Sequence, residues 1–144
     1  IAHDCKIRNN VIIANNVPIG GHACIDDNVV IGGNSAVQQF TRIGKMAMIG
    51  GMTGVLNDVI PYGLSIGNRN YLQGLNLIGL RRSNISNKDI TTLNKAYSEI
   101  FMTKNLNENL NKLNGEFKDN FLVNEIIEFI TKDKKRPICT PFSK

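Results

Sequence analysis

The sequence contains no tryptophan, and phenylalanine with tyrosine makes up only 6% of it. Surfaces that hold single-stranded nucleic acid stack bases on aromatic rings, and no nucleic-acid motif is present, so no nucleic-acid partner is expected. No apolar run reaches the roughly 18 residues of a membrane-spanning helix, so no integral membrane segment is expected. The N-terminus lacks the basic and apolar regions of a secretory signal, which makes a cytoplasmic location the default. Cysteine is scarce as well. Cys5, Cys24 and Cys139 are odd in number and form no C-x-x-C pair, which argues against a disulfide framework or a cysteine metal site and for small hydrophobes in a reducing compartment. Charge of one sign is in short supply: Asp and Glu number 12 against 17 Lys and Arg, for a net charge of +5. The cations concentrate late, at Arg81-Arg82 and in Lys132-Asp133-Lys134-Lys135-Arg136. A surface of that kind attracts an acidic protein or a phosphorylated substrate.

What the sequence has is a repeat. Ile1, Ile7, Ile13, Ile19, Ile25, Ile31, Val37, Ile43, Ile49 and Val55 are β-branched aliphatics spaced by six without interruption. Four positions after each stands a small or medium residue, from Cys5 and Val11 through Ala23 and Ser35 to Thr53 and Val59. Asn10, Asn16, Asn28 and Asn34 fill a third phase, and Asn tolerates the left-handed backbone region that sharp corners use. Period six fits neither an α-helix nor a plain alternating strand. It fits a triangular coil in which each hexad turns two side chains inward and then bends. Three hexads make a coil of about 18 residues, and the coils stack at the sheet spacing of about 4.8 Å. The expected fold is mainly β: a left-handed parallel β-helix followed by an α-helical C-terminal domain. The chain begins with Ile1 in the middle of a repeat, so further coils are expected upstream.

The prism is expected to end near Pro61, which occupies the next aliphatic phase and cannot donate to a ladder. The division that follows is 1–60 for the coils, 61–84 for an irregular connector and 85–144 for the helical domain. Ser86 is a suitable N-cap, and Ile90, Leu93, Ala96, Tyr97, Ile100 and Phe101 recur at helical spacing. Further helices are expected over about 106–114 and 121–132, and a loose tail after Lys132.

Only two histidines exist, His3 and His22. They are separated by one coil plus one residue, which places them on adjacent coils near one outward-pointing corner. Imidazole is the side chain suited to general-base work near neutral pH. Two histidines without a third make a zinc centre of three histidines between subunits an unsuitable reading, so neither metal nor cofactor is expected. No Ser/His/Asp or Cys/His nucleophile arrangement is evident. Direct transfer with a histidine base fits better than a covalent intermediate.

The segments Ile1-Ala2-His3-Asp4-Cys5, Gly20-Gly21-His22, Ile31-Gly32-Gly33 and Val37-Gln38-Gln39-Phe40 resemble the UDP-N-acetylglucosamine 3-O-acyltransferases of lipid A biosynthesis. The resemblance continues through Gly50-Gly51, Asp58-Val59-Ile60-Pro61-Tyr62, Gly67-Asn68, Ala96-Tyr97 and, most specifically, the stretch from Gly74 to Arg82. It implies transfer of a 3-hydroxyacyl chain from acyl carrier protein to the 3-hydroxyl of UDP-N-acetylglucosamine, the first step of lipid A biosynthesis. By position, His3 matches the general base, Asp4 the acid that orients it, and the Gly21 N–H the oxyanion donor. His22 matches a residue that seats the substrates. Gln39, Asn76 and Arg82 match contacts to the nucleotide or the carrier arm, and Gly51 matches the position that limits acyl length, where glycine leaves the groove open. The resemblance further implies parallel homotrimers with active sites between subunits. This sequence departs from the family at Gln38, where histidine is common, and at Ile78, where an acid is common. Two other readings compete: a different hexapeptide acyltransferase, whether an N-acyltransferase or one that takes acetyl-CoA, and a non-catalytic assembly module.

Overall fold

The computed structural model describes residues 1–133 and 135–143. It is the expected left-handed parallel β-helix with helices after it. Eight two-residue strands run up three faces: β1 (Lys6–Ile7), β2 (Ile12–Ile13), β3 (Cys24–Ile25), β4 (Val30–Ile31), β5 (Ala36–Val37), β6 (Arg42–Ile43), β7 (Met48–Ile49) and β8 (Gly54–Val55). Parallel pairing joins Ile7 to Ile25 and Ile25 to Ile43 on one face, Ile13 to Ile31 and Ile31 to Ile49 on the second, and Val37 to Val55 on the third. Each of these partners lies three hexads further along the chain, so the coil read from the repeat is the coil that forms.

The strands are short because a corner interrupts every hexad. Asp4, Asn10, Asn16, His22, Asn28, Asn34, Phe40, Met46 and Met52 all have φ between 57° and 64°. That left-handed conformation costs most L-residues about 1–2 kcal/mol and suits Asn and Asp best. The Asn phase therefore reports the corners, and it also places Asp4, His22 and Phe40 on them. Inside the prism the aliphatic ladder from Ile19 through Val55 is closed off from water. Each fully buried isoleucine contributes about 1.5–3 kcal/mol.

The segment 61–84, expected to be irregular, is largely ordered. Ile43 pairs with Val59, where a full coil would have brought position 61 opposite it, so the last coil is shortened. Asp58 takes no left-handed corner, and Tyr62, at φ 66°, sits above Met46 through its N–H to the Lys45 carbonyl. Strand β9 (Gly63–Ile66) then adds parallel to β7, and β10 (Tyr71–Leu75) turns back antiparallel on β9. A hairpin thus covers this end of the ladder, and helix α1 (Leu77–Arg82) follows it. Proline at position 61 stops the hexad but not the sheet.

Helix α2 (Asn87–Ile100) starts where the Ser86 side chain accepts the Asp89 N–H at 3.1 Å, and it buries Ile90, Leu93, Ala96 and Ile100. Helices α3 (Leu106–Asn111) and α4 (Phe121–Lys132) follow, with a 3-10 turn at Gly115–Asp119 between them. The tail expected to be loose is tied to the prism instead. Ile138 bridges Asp58, Pro141 bridges Leu72, and Cys139 is fully buried. Lys134, within the basic run, lies outside the described residues. Among the described residues no helix is long and apolar enough to cross a membrane.

The Arg42 side chain ties the last helix to the coils. The Arg42 guanidinium donates to the Asp58 carboxylate at 2.9 Å, to the Phe129 carbonyl at 3.0 Å and to the Asp133 carbonyl at 2.8 Å. It also lies 4.1 Å above the Phe129 ring. Two of these acceptors are at the C-terminus of α4, where a cation complements the helix dipole. Burial pushes the Asp58 carboxyl above the usual carboxylate range, against the hydrogen bonds it receives from the Arg42 backbone and side chain. Nearby, the buried Tyr62 hydroxyl donates to Glu125 of α4 at 2.6 Å, and burial pushes the pKa of that phenol well above its ordinary value.

Candidate active site on one prism edge

Coil-on-coil stacking collects the phases 3, 21, 39 and 4, 22, 40 on a single edge. The His22 N–H donates to the His3 carbonyl at 3.1 Å and the Phe40 N–H to the Gly21 carbonyl at 2.9 Å, which locks the three corners in line. His3 Nδ1 and Asp4 Oδ2 are 3.0 Å apart. With the Nδ1 proton donated to the carboxylate, Nε2 holds the lone pair. His22 Nε2 lies 3.9 Å from the same carboxylate oxygen. The two imidazoles meet edge to face at 5.1 Å. The His22 ring stacks on Phe40 at 4.7 Å with an interplanar angle of 1°.

Gly21 is what lets the His3 ring lie where it does. A Cβ built there would come within 3.1 Å of both Cε1 and Nε2 of His3. The backbone hydrogen bonds of this edge, among the described residues, leave the Gly21 N–H without a protein acceptor. Gly21 itself therefore lies against the edge of a carboxylate-oriented imidazole that carries the lone-pair nitrogen. That arrangement can remove a proton from a hydroxyl and stabilise an oxyanion in one place.

Of the residues read from the sequence, His3, Asp4, Gly21, His22 and Gln39 come together on this edge. The others do not join them within one chain. Gly51 precedes the corner at Met52, on the edge that also carries Asn16 and Asn34. Asn76 packs at the remaining edge, where its Nδ2 donates to the Met46 carbonyl at 2.9 Å and its Oδ1 accepts the Gly79 N–H at 3.2 Å, capping α1. Its side chain is thus engaged in the fold. Arg82 is exposed in the last turn of α1, and Ile78 is exposed on the same helix.

The sequence reading missed Phe40, whose position one full coil after His22 was the available signal. It also missed Arg136, which donates to the Gln38 side chain and, at 3.1 Å, to the Leu56 carbonyl. The C-terminal tail thereby reaches the residue next to Gln39. Asp4 also brings a third donor to the two imidazoles: one donor atom from each of His3, Asp4 and His22 lies within 4.8 Å of the others. Two surface hollows of about 880 and 770 Å³ lie elsewhere. The larger runs between the outer face of β1, β3 and β6 and helix α4, past Lys6, Arg8, Lys45 and Lys132.

A family signature described as UDP-N-acetylglucosamine O-acyltransferase, domain 2, matches residues 58–139. Acyl-[acyl-carrier-protein]–UDP-N-acetylglucosamine O-acyltransferases of Rhizobium leguminosarum and Rhizobium etli are 42% and 43% identical over 142 residues, 98% of this chain and 52% of each relative. The crystal structure of the Arabidopsis UDP-N-acetylglucosamine acyltransferase superposes with a TM-score of 0.90 at 38% identity, covering 96% of this chain and 52% of that one. The enzyme of Francisella novicida gives 0.89 at 27% identity, over 97% and 51%. The chain spans about half the length of the relatives it matches. With the signature over more than half of its residues, and coils, hairpin and helices alike superposing on solved members, the chain belongs to the UDP-N-acetylglucosamine O-acyltransferase family.

Proposed function

We propose that this chain is the part of an acyl-[acyl-carrier-protein]–UDP-N-acetylglucosamine O-acyltransferase that carries its base and its helices. The reaction joins a 3-hydroxyacyl group to the sugar 3-hydroxyl in the first step of lipid A biosynthesis. The observation that carries this reading is the His3–Asp4 pair with Gly21 against the His3 ring, in a chain of this family.

The chemistry follows from the placement. Asp4 holds the Nδ1 proton, so Nε2 of His3 accepts the proton of the sugar 3-hydroxyl as the oxygen attacks the thioester carbonyl. The Gly21 N–H donates to the oxyanion that forms, a contribution worth about 2.7–4 kcal/mol where such a donor has been removed. Collapse breaks the carbon–sulfur bond, and imidazolium returns its proton to the leaving thiolate. The acyl oxygen ester and the free carrier thiol are the products, and no covalent enzyme intermediate is needed.

The distribution of residues over three edges supports a site shared between copies. Edges of one prism point away from each other, so His3, Gly51 and the region of Asn76 converge only where different chains meet. We assign the active form as a homotrimer in which His3, Asp4, Gly21, His22 and Gln39 of one chain face Gly51 and the α1 region, with Arg82, of a neighbour. Asn76 then acts by holding α1 in place. The cations along α4 and the tail suit acidic acyl carrier protein. A cytoplasmic location accords with such a donor.

The test is thiol release from 3-hydroxyacyl carrier protein, in protein extended to the full length of the relatives. Release that requires UDP-N-acetylglucosamine and falls by several orders of magnitude in His3→Ala is the expected result. Release from acetyl-CoA instead, or none from a folded oligomer, would overturn the assignment.

A further inference from the structure

We propose that the edge formed by His3, Asp4 and His22 binds a divalent transition-metal ion, zinc foremost, and that the bound ion silences His3 as a base. The binding stands on the geometry of the edge, while the silencing rests on the reading of His3 given above.

Two imidazoles and one carboxylate form a borderline nitrogen and oxygen donor set, which suits zinc and its neighbours rather than magnesium or calcium. Zinc bonds to such donors are about 2.0–2.2 Å, so donors on one tetrahedral ion stand about 3.4 Å apart. The separations here straddle that value, 3.0 Å from His3 Nδ1 to Asp4 and 3.9 Å from His22 Nε2 to Asp4. All three donors already lie within 4.8 Å of one another, so small side-chain rotations bring them to bonding distance. Water completes the coordination on this exposed edge.

The frame is rigid where it needs to be. Asp4 and His22 occupy equivalent left-handed corners, at φ 58° and 59°, so both side chains leave the coil in the same sense. The backbone bond from His22 to His3 fixes the coil spacing, and the stack on Phe40 pins the His22 ring. Counting histidines alone gave two donors and no metal site. The third donor is the carboxylate that otherwise orients the base.

The consequence for catalysis is specific. A neutral imidazole carries one proton. Metal on Nδ1 of His3 displaces the bond to Asp4 and forces that proton onto Nε2, the atom beside Gly21. Nε2 then has no lone pair for the sugar hydroxyl, and the base is lost without any change in the coils.

The test exploits the presence of only two histidines in the chain. Zinc is titrated into protein labelled with ¹⁵N-histidine, with stoichiometry from calorimetry. The expected result is one ion per chain, with coordination shifts at Nδ1 of His3 and Nε2 of His22. Asp4→Asn and His22→Asn place at these corners the residue found at the sister corners, so the coil is retained, and each weakens binding at least tenfold. Cys5→Ser with Cys24→Ser leaves the affinity unchanged. Histidine signals unmoved at millimolar zinc, or binding that survives both Asn variants, would overturn the site. In acyl transfer, saturating zinc abolishes turnover and a chelator restores it. Turnover undiminished with both histidines metal-bound would overturn the silencing. His3→Ala, assayed in parallel without metal, distinguishes that failure from failure of the base assignment.

Discussion

Replacing Gly21 by alanine separates geometry at the proposed base, His3, from stability of the coil. The new Cβ would stand 3.1 Å from Cε1 and Nε2 of His3 and 3.5 Å from the His3 carbonyl oxygen. Comfortable carbon contacts begin at about 3.5 Å, so the imidazole must move by a few tenths of an ångström. It can, because His3 is exposed. Gly21 has no left-handed φ, so alanine adopts its backbone and gains about 0.4–1 kcal/mol through the unfolded chain, which offsets the contact. Unfolding free energy should therefore change by less than about 1 kcal/mol. Activity should fall further than that, since a catalytic group must be held within about 0.5 Å and a misplacement of 1 Å can cost about a hundredfold. We expect a loss of roughly ten- to a hundredfold in kcat. Gly20→Ala is the contrast: its Cβ would meet the Gln39 backbone nitrogen at 2.5 Å, where nothing can swing aside. That variant should lose about 1–3 kcal/mol. Urea unfolding followed by circular dichroism and the thiol-release assay read the two quantities. Full activity in Gly21→Ala, or equal destabilisation in both variants, would refute the reasoning.

Further expectations follow from the contacts that dock the helices. Arg42→Ala leaves Asp58, whose side chain is 2% exposed, without its cation and should cost about 3–5 kcal/mol in urea unfolding. Asp58 has its folded pKa raised by burial, so its contribution to stability is fully present below the unfolded value of 3.8 and is lost as pH rises through the folded one. Unfolding measured upward from pH 4 should show that decline, and Asp58→Asn should flatten it. Asn76→Ala removes the cap of α1 and a bond to Met46, so it should lose about 1–2 kcal/mol in thermal unfolding. A stability unchanged by Asn76→Ala would return that side chain to a purely ligand-binding role.

The coils were legible because their physics is local. Ten aliphatics at one phase and asparagines at another state both the inward ladder and the left-handed corner, and Ile25 to Ile43 pairing follows without knowledge of anything distant. The helices were legible for the same reason, from Ser86 and the spacing of Ile90, Leu93, Ala96 and Ile100. The hairpin was not. Its order depends on β9 adding to β7 and on a shortened last coil, which only the stacked neighbours impose. Arg42 is another such case: an exposed strand position by pattern, it is sheltered by Phe129 and Asp133, far along the chain in the last helix and just beyond it. The adjacency of His3 and Asp4 was readable directly, and the coil repeat placed His22 beside them. Which edge carries Gly51 was also implicit in the phase, whereas Asn76 lies beyond the repeat. That Asn76 packs at the edge of Met46 rather than at that of His3 emerged only from the structure.

A site shared between chains can be tested by mixing. His3→Ala and Gly51→Phe are prepared as separate proteins of the relatives' full length. The phenylalanine blocks the groove at little structural cost, since a Cβ at Gly51 meets only Gly33, at 3.4 Å or more. Each variant alone should fail with the long acyl donor. In equimolar co-assembled trimers, three quarters of the particles are mixed, and each mixed trimer has one interface with both native residues. About a quarter of native thiol release should therefore return. Recovery at that level places His3 and Gly51 of one site on different chains. Persistent inactivity in verified mixed trimers would place them in the same chain and contradict the account.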